Sequence, residues 1–270
     1  MNNLIKKYFY ESNNFSIKHE KYFSVYEKLL SRYKDKEITL VEIGIHNGGS
    51  LYIWKKFLPK AKVIGIDLNE DCRRFEKDGF IIEIGDQNSE EFWKNFFKKH
   101  GNVDVIIDDG GHTNSQQINT AICCIPNLNN GGLLITEDVM CSYIFEFGNP
   151  NKFSFISFSK KIIDDINFKF PKTGKFKYSL NDYVYSIQFF ESIVVFEIDR
   201  NLCYFNNTVT NDKKNHNIKD LRYNLNIEDL FQKNFFKKFK ILRKINEYYR
   251  IIKIRNLNNK NLKKFKKFFK

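Results

Sequence analysis

Short, nearly continuous apolar runs recur through the first two hundred residues of this chain, and the segments between them carry apolar residues at helical spacing. The runs are Ile38 to Ile45, Val63 to Leu68, Phe80 to Asp86, Val103 to Asp109, Gly132 to Asp138, Tyr185 to Phe190 and Ile193 to Ile198. Each is too short for a helix and too uniformly apolar for a half-exposed strand, which predicts strands covered on both faces. A helix fits between the first two runs. Ser89 caps another, since Glu90, Glu91 and then Phe92, Trp93, Phe96 and Phe97 follow it. A third is expected from about Ser115 to Ile125 and a fourth near residues 151 to 167. Parallel strands need crossovers, so the first five strands imply a doubly wound α/β sheet, mostly parallel. The last two runs are too close for a helical crossover, so the seven-stranded sheet should close with an antiparallel strand. Tyr22, Phe23, Tyr26, Leu29 and Leu30 give residues 1 to 36 the pattern of helices packed on the domain as a lid or edge. The domain itself should span 37 to 199.

The bend leaving the first strand contains Gly44, Gly48 and Gly49, and the second strand ends in Asp67. Strand, glycine bend, helix and acid-ended strand build a nucleoside pocket: the glycines admit the ligand to the backbone, and a carboxylate can hold a ribose diol. Ligand sites in such sheets lie beyond the carboxyl ends of the strands. The rim predicted there is strongly acidic, comprising Glu42, Asp67, Asp86 with Gln87, Asp108, Asp109, Glu137 and Asp138. Adjacent strand ends bring Asp109, Glu137 and Asp138 together, and uncompensated clustering of carboxylates is costly. A hard divalent cation, most simply Mg²⁺, would relieve it, as would pairing with a nearby Lys or Arg. His112, three residues beyond Asp109, is placed to take a proton from a substrate hydroxyl. Glu42 is a candidate contact to an amino-acid part of the ligand.

Bulk composition narrows the class. A hydrophobic fraction of 42% and 28 Phe in 270 residues are ample for a core. No apolar run approaches ~18 residues and no apolar stretch follows the charged N-terminus, so neither a spanning helix nor a signal peptide is expected, and the cytoplasm is the expected compartment. Five cysteines without a C-x-x-C pair read as reduced thiols. The net charge of +13 is localised: residues 231 to 270 hold 15 Lys or Arg and one acid, Glu247, while the other 230 hold 30 basic and 31 acidic residues. That distribution argues against a nucleic-acid cleft. Residues 200 to 230 read as a polar, Asn-rich linker. The 231 to 270 segment reads as a basic amphipathic helical tail, suited either to an anionic membrane surface or to packing on protein.

Taken together, Val41-Glu-Ile-Gly-Ile-His-Asn-Gly-Gly-Ser50, Val63 to Asp67, Gly85-Asp-Gln87, Ile107-Asp-Asp-Gly-Gly-His112, Glu137-Asp138, Ser142-Tyr143 and Ser192 to Phe196 resemble class I S-adenosylmethionine-dependent methyltransferases. The narrower resemblance is to the metal-dependent O-methyltransferases of macrolide deoxysugars, a group related to rhamnosyl O-methyltransferases and cephalosporin hydroxylase. It spans about residues 15 to 198. The resemblance implies that Asp67, with Leu68 beside it, holds the ribose, that Asp86 and Gln87 meet the adenine, with Asp108 and Asp109 also counted among the cofactor contacts, and that Gly44, His46, Gly48 and Ser50 surround the methionine portion. It further implies that Asp109, Glu137 and Asp138 ligate Mg²⁺, with Asp109 and His112 acting in the transfer and His112 as general base. Where that family commonly has a His-Thr pair, this chain has Met140 and Cys141, which bears on the acceptor.

The function expected is O-methylation of a sugar or surface-glycan precursor of the capsule or lipopolysaccharide type, from a sugar, nucleotide-sugar or glycan acceptor, by a homo-oligomer working near the inner membrane face. Three alternatives belong to other chemistries: methylation of a capsular phosphoramidate, hydroxylation at a redox metal, or a non-catalytic nucleoside-binding scaffold. Oxygen ligands without a metal-bound histidine argue against the hydroxylase, and intact acids with His112 against the scaffold.

Overall fold

The computed structural model describes residues 3–147, 152–169, 180–211 and 239–269. The chain divides into two compact units, Met1–Thr208 and Val209–Lys270.

In the first unit, α1 (Leu4–Tyr10) and α2 (Tyr22–Leu30) precede β1 (Thr39–Ile43), α3 (Gly49–Phe57) and β2 (Lys62–Asp67). Then come β3 (Ile81–Ile84), α4 (Glu90–His100), β4 (Val103–Asp108), α5 (Asn114–Cys124), β5 (Leu128–Thr136), α6 (Phe155–Phe168), β6 (Val184–Phe190) and β7 (Ile193–Ile198). The strands form one sheet in the order β3-β2-β1-β4-β5-β7-β6. Strands β1 to β5 are parallel, while β7 runs antiparallel to both β5 and β6. Only Glu191 and Ser192 separate β6 from β7, and Ser192 takes a positive φ of 62°. A two-residue connection can join only antiparallel neighbours.

Period-two alternation explains the unbroken apolar runs. Leu40, Val105, Ile107, Leu133 and Ile135 face one way, onto Tyr26, Trp54 and Phe57 of α2 and α3. Val41, Ile43, Ile106 and Leu134 face the other way, onto Trp93, Ala121 and Phe155 of α4, α5 and α6. Each fully buried large side chain contributes roughly 1.5–3 kcal/mol, so helices on both faces hold the sheet. Ser89 caps α4 by accepting the Phe92 N–H at 3.1 Å, and Thr113 with Gln116 forms a capping box on α5.

Local departures are small. Residues Glu70–Asp78, between β2 and β3, are 3₁₀ turns instead of an α-helical crossover. Asn129 to Gly132 form the irregular start of β5, where the register shifts between Val103 and Val105. Of the polar 200 to 230 stretch, residues 200 to 211 are described, with one 3₁₀ turn at Arg200–Leu202. The rest lies outside the described residues, as do 231 to 238 of the tail. In the second unit, α7 (Lys240–Leu262) runs into 3₁₀ turns at Lys263–Phe269. Its Ile241, Ile245, Tyr248 and Ile252 lie at helical spacing and are exposed. None of the described helices is long and apolar enough to cross a membrane.

Candidate active site

The chain runs outward from β1 through β2 to β3, then returns to place β4 on the other side of β1. Strand order reverses between β1 and β4, and a cavity of about 450 Å³ opens beyond their carboxyl ends. Glycine makes the opening possible. Gly44 has φ +81°, and a Cβ there would lie 2.2 Å from the Asp109 carbonyl oxygen, so the bends after β1 and β4 touch backbone to backbone. A Cβ on Gly49, at the start of α3, would lie 2.2 Å from the Phe15 carbonyl oxygen. The segment between α1 and α2 therefore crosses directly over the glycine bend.

Gly44, His46, Ser50, Asp67, Leu68, Asp86 and Gln87 line the cavity. Asp67 is held by two backbone donors: the His46 N–H to Oδ2 and the Asn69 N–H to Oδ1, each at 3.0 Å. Gln87 is buried and works as a clamp. Its NH₂ donates to Asp108 Oδ1 at 2.8 Å and its Oε1 accepts the Gly111 N–H at 2.9 Å. Asp108 stands behind the wall, with Oδ2 unpartnered, and burial lifts its carboxyl to about 6 against the pull of Gln87. Glu42 is also behind the wall, where it accepts the Ser50 hydroxyl at 2.6 Å; burial raises it while Lys18 opposes the rise. Gly48 lies outside the lining and packs against Phe75.

Asp109, His112 and Asp138 line the same cavity. His112 and Asp138 both have positive φ, 56° and 54°, a strain that surrounding structure must hold and that recurs at functional sites. His112 Nε2 is 3.5 Å from Asp138 Oδ2 and 3.9 Å from Asp109 Oδ1, while its Nδ1 is buried and unpartnered. Donor atoms of these three residues lie within 4.8 Å of one another. His112, read from the sequence as a base, is thus also the third member of the compact donor group among the described residues.

Glu137 is placed differently. It is buried, and its Oε1 accepts the Tyr26 hydroxyl and the Lys18 ammonium, the latter at 2.7 Å. Burial raises its carboxyl, while Lys18 and the Tyr26 hydroxyl oppose the rise. The same ammonium binds Asp109 Oδ2 and lies 3.7 Å from Glu42 Oε1. Burial disfavours charge on Lys18, but the fields of Glu137, Asp109 and Glu42 outweigh it and hold the amine protonated. Asp138 accepts the Tyr22 hydroxyl at 2.5 Å and faces His19 Nε2 at 3.6 Å. Compensation of the acids by a lysine, one of the two outcomes open from the sequence, is therefore realised at Asp109 and Glu137.

Lys18, Tyr22 and Tyr26 were not legible as site residues. The tyrosines belong to the apolar stripe of α2, and only their hydroxyls, at i and i+4, reach the strand ends. Lys18 meets partners 91 and 119 residues away, and nothing local singles it out.

Residues 41–139 match the profile of a family described as a methyltransferase domain. The L-olivosyl-oleandolide 3-O-methyltransferase of Streptomyces antibioticus is 33% identical over 133 residues, covering 47% of this chain and 34% of that protein. The mycinamicin VI 2''-O-methyltransferase of Micromonospora griseorubida is 31% identical over 153 residues, covering 52% and 38%. This chain therefore spans well under half the length of either relative. A solved structure of the MycE methyltransferase from the mycinamycin pathway, in complex with Mg and SAH, superposes with a TM-score of 0.64 at 24% identity, over 73% of this chain and 53% of that one. That likeness extends to the fold.

Proposed function

We propose that residues 41–139 form a class I S-adenosylmethionine-dependent methyltransferase domain and that the protein transfers a methyl group from S-adenosylmethionine to a hydroxyl of a sugar-bearing acceptor, assisted by a divalent cation. The observation that carries the reading is a juxtaposition. One cavity is lined by the glycine bend and Asp67 together with Asp109, His112 and Asp138.

The bound donor brings a methyl group already activated on sulfur, so alignment of the acceptor oxygen is the larger part of the protein's task. Asp67 would hold the ribose hydroxyls, Asp86 and Gln87 the adenine, and Gly44 to Ser50 the methionine portion. Asp67 suits that role because two backbone donors fix it while each oxygen keeps a lone pair. Glu42 and Asp108 would act from behind the lining, by orienting Ser50 and Gln87.

Asp109, Glu137 and Asp138 would hold the cation, Mg²⁺ fitting their hard oxygens, and Asp109 and Asp138 already share a compact group with His112. Once bound, that ion would acidify the acceptor hydroxyl. His112 Nε2 would accept the proton, and the imidazolium so formed would face the carboxylates of Asp138 and Asp109.

For the acceptor we favour a surface-glycan precursor, handled by a homo-oligomer in the cytoplasm close to an anionic membrane. The 15 basic residues and one acid of 231–270 support that placement. The test is mass spectrometry of glycan and nucleotide-sugar pools from cells with and without the protein, coupled to incubation of the purified chain with methyl-labelled S-adenosylmethionine. A species one methyl group heavier, present only with the protein and labelled in vitro on a sugar oxygen, is expected. Label arriving on nitrogen or carbon, or on no sugar, would overturn the acceptor assignment.

A further inference from the structure

Between α1 and α2, one side chain breaks the pattern of its neighbours. Phe15, Ile17 and His19 are largely exposed, yet the Lys18 side chain is only 4% exposed. Its ammonium reaches through the strand ends to Asp109 at the end of β4 and Glu137 beyond β5. These are two of the three carboxylates assigned above to a divalent cation. A second positive ion placed on the same oxygens would meet the ammonium within a few ångströms in a buried setting, where like charges repel strongly.

We propose that Lys18 is a built-in cation that competes with a divalent metal ion for Asp109 and Glu137, so that metal binding withdraws Lys18 and releases the segment of residues 12–21 from the pocket mouth. The inference rests on the cation site of the proposed function and is independent of the acceptor. One ammonium faces three carboxylates here, Glu42 included. A divalent ion neutralises that group more completely, so the exchange has a driving force. The segment is the part that gives way: Phe15 and Ile17 line the cavity while remaining largely open to solvent.

The experiment uses the full chain and Mn²⁺ as the probe. Lys18 acylation by an amine-reactive ester is followed by peptide mass spectrometry, with exposed Lys60 as internal reference, in chelator and at saturating Mn²⁺. Acylation of Lys18 should rise at least about tenfold with Mn²⁺, the factor expected if the closed latch is populated ~90% of the time without it. In parallel, calorimetry on Lys18→Met should give Mn²⁺ binding at least about tenfold tighter than in the unaltered chain. The acylation readout needs no variant, so it stands even if Lys18→Met fails to fold. Mn²⁺ that binds without changing Lys18 reactivity overturns the competition and leaves the cation site intact. Absence of Mn²⁺ binding in a chain that still binds S-adenosylmethionine overturns latch and cation site together, leaving the methyl-donor pocket standing.

Discussion

Asp108 is held by donors on one oxygen and left without a partner on the other, and its titration has a calculable sign. Burial raises its native pKa from 3.8 to about 6. Below 3.8 both folded and unfolded chains hold the proton. Between 3.8 and about 6 the folded chain binds more protons than the unfolded one, so stability is lost as pH rises through that window. The loss attributable to this group is on the order of 3 kcal/mol at most. Asp108→Asn should remove that component: its denaturation midpoint, measured from pH 4 to 7, should fall less than that of the unaltered chain. Parallel profiles would show that Asp108 titrates normally.

His112 gives a kinetic prediction at the same scale. Its Nε2 faces both Asp138 and Asp109, so His112→Ala should lower the transfer rate by roughly 10²- to 10⁴-fold while S-adenosylmethionine affinity stays nearly unchanged. Undiminished turnover would remove His112 from the chemistry. The Asp-Asp-Gly-Gly-His run made this residue legible as a candidate. Lys18 was hidden because pairing across 91 residues leaves no periodicity or motif to read.

Among the elements, the glycine bend couples two strands. Gly44→Ala would place a methyl group 2.2 Å from the Asp109 carbonyl oxygen at a φ of +81°, a conformation that already strains an L-residue. The expected cost is at least about 2 kcal/mol in chemical denaturation, together with weakened S-adenosylmethionine binding. A variant as stable as the parent would mean that the β1 and β4 bends move freely past each other.

The strands themselves were readable because helices on both faces demand apolar side chains on both faces of the sheet, as in Val105 to Ile107. The closing antiparallel strand was readable from the two-residue gap at Glu191 and Ser192. Residues 70 to 78 were harder, since Cys72 and Phe75 are their only buried side chains and so give too little apolar spacing to separate 3₁₀ turns from a helix. In α2 the same amphipathic stripe served two purposes. Tyr22 and Tyr26 fill the core with their rings and reach the acids with their hydroxyls, and a hydrophobic pattern reports only the first.

For the whole molecule, charge is divided between a nearly neutral first 230 residues and a strongly basic remainder. If the tail meets an anionic surface, each basic residue near it contributes about 1 kcal/mol, screened by salt. The chain should then co-sediment with anionic but not zwitterionic vesicles at low ionic strength, and deletion of 231–270 should abolish it. Sedimentation unaffected by the deletion would dispose of a membrane role for the tail.

In the pocket where strand order reverses, Asp67 is proposed to hold the ribose of a methyl donor. Calorimetric titration of S-adenosylmethionine into the full chain and into Asp67→Ala checks this. Saturable one-site binding is expected, weakening roughly 10- to 100-fold in the variant, the range for losing hydrogen bonds to a charged acceptor of ~1.5–3 kcal/mol. Equal affinity in the two proteins, or no binding to the unaltered chain, would contradict it.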